Sequence, residues 1–298
     1  MTLYRVTHVT TYTYDDDVTD SFGVAWVQPR LLPWQQVADS AVVLDPTPSD
    51  LSTDIDFYGN QVTYFQVTEP HRTLKITATS EVEVLTSVHD LDALAAPWES
   101  ARPIHNRTDP SAWLASDMAL ESAMAEHSEA AQRYGAESLR PGRPLGEAVT
   151  DLMHRIHREF RYEKGATTVS STVTEILATR TGVCQDFAHL MLACLRTHGL
   201  AARYVSGYLS TTPPPGTQRM VGADATHAWV SVWVPGSGEW LALDPTNDQW
   251  AGDHHVTAAW GRDYADVPPV KGVIFTDATT STLEVSVDVS PRPTGHLA

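Results

Sequence analysis

The chain has 298 residues and only two cysteines, Cys184 and Cys194. Two cysteines cannot form the multiply bridged framework that holds many small secreted domains together. If both lie on one helix, a rise of about 1.5 Å per residue separates them by about 15 Å, which is too far for a disulfide. Each thiol is therefore expected to be free, and its role is either to pack in a core or to react.

Positive charge is also scarce. Lysine and arginine number 20 against 37 aspartates and glutamates, which gives a formal net charge of −17. Such an acidic chain is a poor match for the phosphate backbone of a nucleic acid or for an anionic membrane surface. We therefore predict no nucleic-acid partner, and no feature of the composition indicates an oligomeric state.

Long apolar runs are missing as well. No segment approaches the roughly 20 consecutive apolar residues that cross a bilayer. The N-terminus begins in strand-like alternation, without the basic and apolar regions of a signal peptide. These observations predict no membrane association and a cytoplasmic location.

Metal-binding motifs are lacking despite 13 histidines. The densest cluster is Asp253-His254-His255, but adjacent histidines usually point to different sides of a segment. No Cys-x-x-Cys, His-Glu-x-x-His or EF-hand spacing accompanies it. His154 and His157 lie three residues apart in a helical pattern, which favours a capping or solvated role over ligation. We predict no zinc, no calcium dependence and no other cofactor.

Hydrophobic periodicity divides the chain into three parts. Residues 1–87 contain several short alternating segments separated by turn residues, which is typical of a β-sandwich or barrel. Residues 88–144 are rich in Ala, Glu, Ser and Pro and are interpreted as a helical connector. Residues 145–298 begin with apolar residues at helical spacing and end in a final alternating strand. The prediction is an α+β protein with an N-terminal β-sandwich-like domain (1–87), the connector (88–144) and a catalytic domain with an antiparallel sheet (145–298).

Cys184 stands where a helix begins. From Phe187 to Leu195, apolar residues recur at steps of three and four, and Gly199 supplies a C-terminal cap. Unpaired N–H groups and the positive end of the helix dipole favour a thiolate at the N-terminus. Cys194 falls on the apolar stripe of the same helix. We therefore assign Cys194 to the core and Cys184 to chemistry.

Two downstream strands carry partners for this thiol. His227 opens an alternating strand, and Asp244 closes the strand that follows the next turn. Both residues then lie at the same end of a hairpin, and pairing of Trp233 with Trp240 would place them on one face. An imidazole beside a carboxylate completes a nucleophile–base–orienter arrangement with a thiol. We predict a catalytic triad of Cys184, His227 and Asp244.

Four blocks in this order resemble the transglutaminase-like superfamily of papain-like thiol enzymes. They are Gly182-Val183-Cys184-Gln185-Asp186-Phe187-Ala188, Arg203-Tyr204-Val205-Ser206-Gly207-Tyr208, Thr226-His227-Ala228-Trp229-Val230 and Leu243-Asp244-Pro245-Thr246-Asn247. The opening Tyr4-Arg5-Val6-Thr7-His8, with Asp56-Phe57-Tyr58-Gly59-Asn60, is similar to the N-terminal region that accompanies this domain in bacteria. The resemblance implies a papain-like, transglutaminase-like catalytic domain that performs thiol-mediated acyl transfer on a peptide or protein amide.

The resemblance leaves the fate of the acyl-enzyme open. Cross-linking transglutaminases typically have a Trp directly after the nucleophile and another a few dozen residues before it. Here Gln185 follows Cys184, and no Trp lies between Leu145 and Val183. We therefore favour hydrolysis by a cysteine protease or amidase over transamidation of protein glutamine. A non-catalytic binding or scaffold protein on the same fold and a metal-dependent hydrolase are the remaining alternatives.

Three further side chains are predicted to line the site. Gln185 either hydrogen-bonds locally or contributes its amide to the oxyanion site, next to the backbone N–H of the nucleophile. Tyr162 is a second oxyanion candidate, and Trp229 shares the face of His227 and either walls the acyl site or packs in the core. A loop through Pro213-Pro214-Pro215-Gly216 precedes His227 and is expected to border the site.

Overall fold

A computed structural model describes residues 1–168, 171–211 and 226–292. The loop through Pro213 and Gly216 that is predicted to border the site lies outside the described residues. In chain order the strands are β1 (Thr2–Ala25), β2 (Gln35–Asp45), β3 (Asp50–Ile55), β4 (Gln61–Val67), β5 (His71–Val84), β6 (Arg161–Tyr162), β7 (Thr181–Gly182), β8 (Ala202–Leu209), β9 (Thr226–Val234), β10 (Glu239–Asp244), β11 (Gln249–Trp250), β12 (His255–Gly261), β13 (Val270–Thr276) and β14 (Ser281–Arg292). The α-helices are α1 (Leu91–Ala95), α2 (Ala112–Asp117), α3 (Glu129–Ala136), α4 (Leu145–Glu159), α5 (Val173–Thr179) and α6 (Cys184–Arg196).

The long strand β1 organises a seven-stranded antiparallel sheet, because its two halves pair with different neighbours. The first half pairs with β5 and β14 and the second half with β4 and β13, while β2 and β3 continue outward from β5 and β4. Leu74 and Ile76 of β5 share one buried cluster with Phe65 and Val67 of β4. A strand that serves two groups of neighbours curls the sheet over this cluster and gives the N-terminal region a sandwich-like core.

The last two strands hydrogen-bond to the N-terminal sheet. β14 pairs with residues 3–14 of β1, and β13 pairs with residues 18–25 of the same strand. The predicted domain of residues 145–298 grouped the final strand with the catalytic region, and the backbone pairing differs from that grouping. Alternation specifies that a strand forms and which face it buries, but it does not specify the partner.

The second sheet is antiparallel and has the order β11-β10-β9-β8-β12. Ala228, Val230 and Val232 of β9 belong to the same buried cluster as the apolar residues of α6. The intervening His227 and Trp229 therefore lie on the opposite face of β9. The helix–sheet core fixes the start of α6 relative to β9, and the predicted α+β class with an antiparallel second sheet is confirmed.

The N-terminal sheet packs against β8 and β12 of the second sheet. Tyr4 and Val6 share a buried cluster with Tyr208 and Val256. The Tyr208 hydroxyl donates to the backbone carbonyl of Val27 at 2.6 Å. This contact braces β8, which lies directly beside β9 in the sheet. Among the described residues, no helix combines the length and apolar character needed to cross a membrane.

Candidate active site

Cys184 is the first residue of α6, and the turn before it is shaped to present the thiol. The Asp186 carboxylate folds back and accepts hydrogen bonds from the Val183 N–H and from the Thr167 hydroxyl, both at 2.7 Å. Gly182 permits this turn, because a Cβ there would lie 2.8 Å from the Cβ of Asp186. Val183 occupies the N-cap position and has no polar side chain, so no side-chain cap covers the N–H groups beside the thiol. These groups are suited to stabilising negative charge.

The predicted pair, His227 and Asp244, comes together at the end of the β9–β10 hairpin. Trp233 lies opposite Trp240, which is the register that the predicted triad requires. His227 Nε2 lies 2.8 Å from Asp244 Oδ2. The two side chains are only 8% and 0% exposed, so water competes little for this contact. Because Nε2 faces the carboxylate, Nδ1 is the nitrogen left for Cys184.

Asp244 is saturated with hydrogen-bond donors. Its Oδ2 faces His227 at 2.8 Å, His255 at 3.1 Å and the side-chain amide of Asn247 at 2.7 Å. Its Oδ1 accepts from the backbone N–H groups of Thr246 and Asn247 at 3.0 and 3.2 Å. A carboxylate with this many donors remains ionised although it is fully buried. It can therefore hold an imidazolium in place.

The charges of the site favour a protonated imidazole. Burial lowers the pKa of His227, but hydrogen bonds to Asp244 and Cys184, together with their charges, outweigh it and raise the pKa from 6.5 to about 10. Burial alone would raise the pKa of Asp244, yet the hydrogen bonds from His227 and His255 bring that pKa below its ordinary range. At neutral pH an imidazolium therefore lies between the Asp244 carboxylate and Cys184, with its positive charge close to the sulfur.

His255 is a second imidazole on the same carboxylate, and sequence reasoning missed this role. Its Nδ1 accepts a hydrogen bond from the Gly252 N–H at 3.2 Å, so its proton lies on Nε2, which donates to Asp244. Gly207 is on β8, which lies between β9 with Trp229 and β12 with His255. A Cβ at Gly207 would come within 2.6 Å of the Trp229 ring. The missing side chain lets the Trp229 ring pack edge-on against His255 at a centroid distance of 5.2 Å.

Three potential metal-ligand atoms lie close together in this cluster. The side-chain atoms of His227, Asp244 and His255 are all within 4.8 Å of one another. A divalent metal would need a free nitrogen lone pair from each imidazole. The Nε2 of His255 carries its proton, because Nδ1 accepts from Gly252. The donor set therefore fits a hydrogen-bonded network better than a metal centre, and the absence of a metal requirement stays a prediction.

The Asp253-His254-His255 cluster diverges in space. Asp253 accepts a hydrogen bond from the Thr2 hydroxyl at 3.0 Å, and His254 contacts the Tyr4 hydroxyl at 3.3 Å. His255 turns the other way, toward the carboxylate of the site. Adjacent histidines point to different sides, as the sequence predicts.

His154 and His157 of α4 contact the loop that follows Asp244. His154 Nδ1 lies 2.5 Å from Asp248 Oδ1, and His157 Nδ1 lies 3.0 Å from the carbonyl oxygen of Thr246. The two histidines thus tie α4 to the loop whose backbone N–H groups hold the carboxylate of the site.

The three predicted lining residues take different positions. Tyr162 lies on β6 next to β7, and burial and, to a smaller degree, the charge of Cys184 raise the pKa of its phenol. Gln185 is partly buried, and within the described part of the chain its amide has no hydrogen-bond partner, so it is free to meet a substrate. Trp229 is 1% exposed, and its ring stacks on His227 with centroids 6.0 Å apart. Trp229 supports the imidazole from the sheet side, and the roles of all three toward a substrate stay predictions.

Asn247 also touches both members of the hydrogen-bonded pair. Its amide nitrogen lies 2.7 Å from Asp244 Oδ2 and 3.3 Å from His227 Nε2. The residue was part of the block that resembled the family, but its contact depends on the turn after β10. A polar residue three positions after the orienting carboxylate was the available signal.

A helix that begins with a cysteine, packed on an antiparallel sheet that carries a histidine–aspartate pair, is the architecture of the papain-like class. Within that class the chain belongs to the transglutaminase-like superfamily. The model of the Transglutaminase-like superfamily matches residues 132–245, and the model of the Bacterial transglutaminase-like N-terminal region matches residues 4–83. The family resemblance predicted from the sequence is confirmed for both regions.

Relatives of known sequence extend over nearly the whole chain. An uncharacterised protein of Mycobacterium tuberculosis (strain H37Rv) is 49% identical over 97% of this chain and 92% of its own length. The protein-glutamine gamma-glutamyltransferase of Pseudomonas aeruginosa is 36% identical, but over only 40% of this chain and 19% of its own length. Among solved structures, a proposed cysteine protease from Cytophaga hutchinsonii has a TM-score of 0.69 and 19% identity, covering 97% of this chain and 93% of the other. At that identity the likeness shows a common fold.

Proposed function

We propose that the protein is a cysteine protease or amidase that transfers the acyl group of a peptide or isopeptide amide to Cys184 and then to water. The observation that carries the proposal is the buried His227–Asp244 contact of 2.8 Å beside a cysteine at a helix N-terminus. This arrangement provides a nucleophile, a proton carrier and a group that orients the carrier.

In the acylation half of the reaction, the Cys184 thiolate attacks the amide carbonyl carbon. The negative charge that develops on oxygen faces the N–H groups at the start of α6, the backbone N–H of Cys184 among them. The imidazolium of His227 then donates its proton to the departing amine as the C–N bond breaks. The products of this half are a free amine and a thioester on Cys184.

In the deacylation half, His227 is neutral and removes a proton from a water molecule. The resulting hydroxide attacks the thioester carbonyl, and the C–S bond breaks to release a carboxylic acid and the Cys184 thiolate. Asp244 holds the imidazole of His227 in one orientation throughout the reaction and stabilises its positive charge each time His227 gains a proton.

The alternative acceptor is an amine, which would make the protein a protein-glutamine transamidase. The partial match to the Pseudomonas gamma-glutamyltransferase favours this reading of the site. Against it, transamidation needs an approach path for the amine from which water is excluded. Gln185 stands where cross-linking enzymes typically place a Trp, and no Trp occurs between Leu145 and Val183. We therefore keep hydrolysis as the proposal. A non-catalytic scaffold on this fold would not require all three of Cys184, His227 and Asp244.

The experiment that separates these functions offers a glutamine-containing peptide with and without a primary amine. Ammonia release, peptide cleavage and amine incorporation are followed together, with Cys184→Ala as the inactive control. Release or cleavage without incorporation supports the hydrolase. Efficient incorporation at low amine concentration identifies a transamidase instead, and thiol-independent turnover in the control rejects both.

A further inference from the structure

Arg203 is a buried cation that pairs with no carboxylate of residues 1–168, 171–211 or 226–292. It lies on β8, is 5% exposed, and its guanidinium stacks on the rings of Trp260 at 3.5 Å and Trp240 at 4.3 Å. Its Nε has no hydrogen-bond partner, and no acidic side chain among the described residues pairs with it. An arginine stays protonated in proteins, and stacking on aromatic rings offsets only part of the cost of removing it from water.

A second arginine worsens this local excess of positive charge. Arg30 stacks on the other face of Trp260 at 3.5 Å, so one indole separates two guanidinium groups. Burial lowers the pKa of Arg203, and the positive charge of Arg30 lowers it further. Arg30 has Asn60 as a hydrogen-bond partner and Asp56 as a nearby negative charge. Asp56 thus serves Arg30, and within the described parts of the chain Arg203 has no such carboxylate.

The sheet forms a small chamber directly beside this cation. Arg203, Ser231 and Ala242 are cross-strand neighbours on β8, β9 and β10, and two of the three have very small side chains. The resulting depression is walled by large rings from four tryptophans, namely Trp34, Trp229, Trp240 and Trp260. Its volume is about 30 Å³. One water requires roughly 10–15 Å³ on that scale, so the chamber holds a group of two or three heavy atoms.

A larger groove continues from the chamber to the surface. The groove has a volume of about 390 Å³ and is bordered by residues 85–89 and 237–240. Trp34, Ser87, His89 and Trp240 line both spaces, so the chamber is the inner end of the groove. A ligand could therefore place a small charged group at Arg203 and its larger remainder in the groove.

We propose that the Arg203 chamber binds a carboxylate group, with the body of the ligand lying in the groove between residues 85–89 and 237–240. A carboxylate is planar and compact, matches the fork of a guanidinium, and supplies the negative charge that Arg203 lacks. A tetrahedral sulfate or phosphate is bulkier than the few atoms for which the chamber has room. The tryptophan walls lower the local dielectric constant and so strengthen the ion pair.

The chamber is separate from the proposed acyl site but shares two walls with it. Trp229 and His255 line the chamber and also contact the His227–Asp244 pair. Ser231 lies four residues along β9 from His227, about 13 Å at the rise of a strand. The carboxylate site does not depend on the proposed hydrolysis, because binding at Arg203 requires no step at Cys184.

The test is a titration of intrinsic tryptophan fluorescence with sodium acetate on the full chain carrying Cys184→Ala, checked by isothermal titration calorimetry. Ionic strength is held constant with sodium sulfate, and chloride is omitted. We expect a saturable change in emission with acetate and none specific to sulfate. No saturable binding of acetate, or equal binding of the two anions, overturns the proposal.

Variants then locate the site. Arg203→Gln removes the cation, whereas Ser231→Leu keeps Arg203 and fills the chamber with a larger side chain. Each variant should weaken acetate binding by about 10-fold or more. Arg72→Gln removes an equal charge from an exposed arginine that pairs with Asp16 and Asp17, and it should bind as the parent does. Circular dichroism verifies folding, and Ser231→Leu decides the matter if Arg203→Gln does not fold. Undiminished binding by a folded chamber variant overturns the assignment.

A second arm identifies the source of the carboxylate. A short peptide with a free C-terminal carboxylate is compared with the same peptide as its C-terminal amide and with acetate. If the groove holds a peptide, the acid should bind more tightly than acetate and the amide should not bind. Acetate binding that is equal to or tighter than binding of the peptide acid assigns the site to a free small acid, and equal binding of acid and amide contradicts carboxylate recognition.

Discussion

The two ends of helix α6 each carry a cysteine, and the two sulfur atoms have opposite surroundings. Cys184 at the N-terminal end is partly exposed and contacts the hydrogen-bonded network of His227 and Asp244. Cys194 near the C-terminal end is fully buried in the helix–sheet core. Burial raises the pKa of the Cys194 thiol to about 12. Residue type is identical at the two positions, so the environment alone decides which thiol can react.

The difference follows from how each end of the helix is built. At the N-terminal end, the sulfur lies beside backbone N–H groups that no side chain caps and beside the imidazole of His227. At the C-terminal end, α3 packs so closely that a Cβ at Gly135 would lie 3.2 Å from the Cβ of Cys194. The sulfur of Cys194 fills core volume, and burial outweighs the nearby positive charge of Arg155, so the thiol stays protonated.

The largest expected effect comes from exchanging each cysteine for alanine. Cys184→Ala should lower amide turnover by about 10⁴-fold or more, because no other group replaces the nucleophile. Cys194→Ala should leave turnover unchanged and should cost about 1 kcal/mol of unfolding free energy, because a packed sulfur is lost. Activity assays and urea unfolding of both variants measure these effects. Loss of turnover in folded Cys194→Ala with normal turnover in Cys184→Ala would reverse the comparison.

The next effect concerns the orienting carboxylate. Asp244→Asn should lower turnover by about 10³–10⁴-fold, because an amide neither fixes the imidazole tautomer nor stabilises its positive charge. The matched control is Asp248→Asn, which removes a carboxylate that contacts His154 on the surface side of the same loop. Turnover of both variants is measured by steady-state kinetics. Equal losses of turnover would show that the activity depends on folding of the loop and not on the charge of Asp244.

Of the two ends of α6, only the N-terminal end should affect the pH dependence of stability below pH 9, because the pKa of the Cys194 thiol is raised from 9.0 and its contribution changes only above that pH. The pKa of His227 is raised from 6.5 to about 10 in the folded chain. The folded state then binds a proton more tightly than the unfolded state, so this contribution is fully present below pH 6.5 and is lost as pH rises toward 10. Urea unfolding between pH 6.5 and 10 should show the decline in the parent and a shallower one in His227→Gln. Identical slopes in the two proteins would refute the raised pKa.

A smaller effect is expected from the second imidazole. His255→Leu should lower kcat by about 10-fold and change its pH profile, because one donor to Asp244 is lost. His255→Gln keeps an amide N–H near the position of Nε2 and should restore most of the rate. Kinetics that show no difference between the Leu and Gln variants would make His255 a packing residue only.

Chelation of metal ions is expected to have no effect on turnover. EDTA should leave turnover unchanged, because the proton on His255 Nε2 blocks the cluster of His227, Asp244 and His255 as a ligand set. Loss of activity with EDTA and its recovery on adding zinc or calcium would contradict this expectation.

Local patterns predicted the hairpin that carries the site. Alternation in β9, the turn after it and the stop after β10 determine both the strands and their register, so that Trp233 meets Trp240. The helix start at Cys184 follows from the spacing of apolar residues in α6. Each of these features depends on neighbours within a few dozen residues, which is why sequence reasoning reached them.

Contacts across the fold were beyond that reasoning. His255 reaches Asp244 from β12 only because β12 pairs with β8 and Gly207 leaves room for the rings. The pairing of β14 with β1 joins residues more than 260 positions apart, and no periodicity identifies such a partner. Arg203 looked like one polar residue in a strand, and its position between tryptophans emerges only from the packed sheets.

Alkylation is the sharpest test of whether Cys184 is reactive because it stands at the start of α6. Brief treatment with iodoacetamide near neutral pH, followed by peptide mapping, compares the two thiols within one folded chain. The prediction is that Cys184 is labelled selectively, that it is labelled more slowly in His227→Gln, and that Cys194 is labelled only after unfolding in urea. Equal labelling of Cys184 and Cys194 in the folded protein would contradict it.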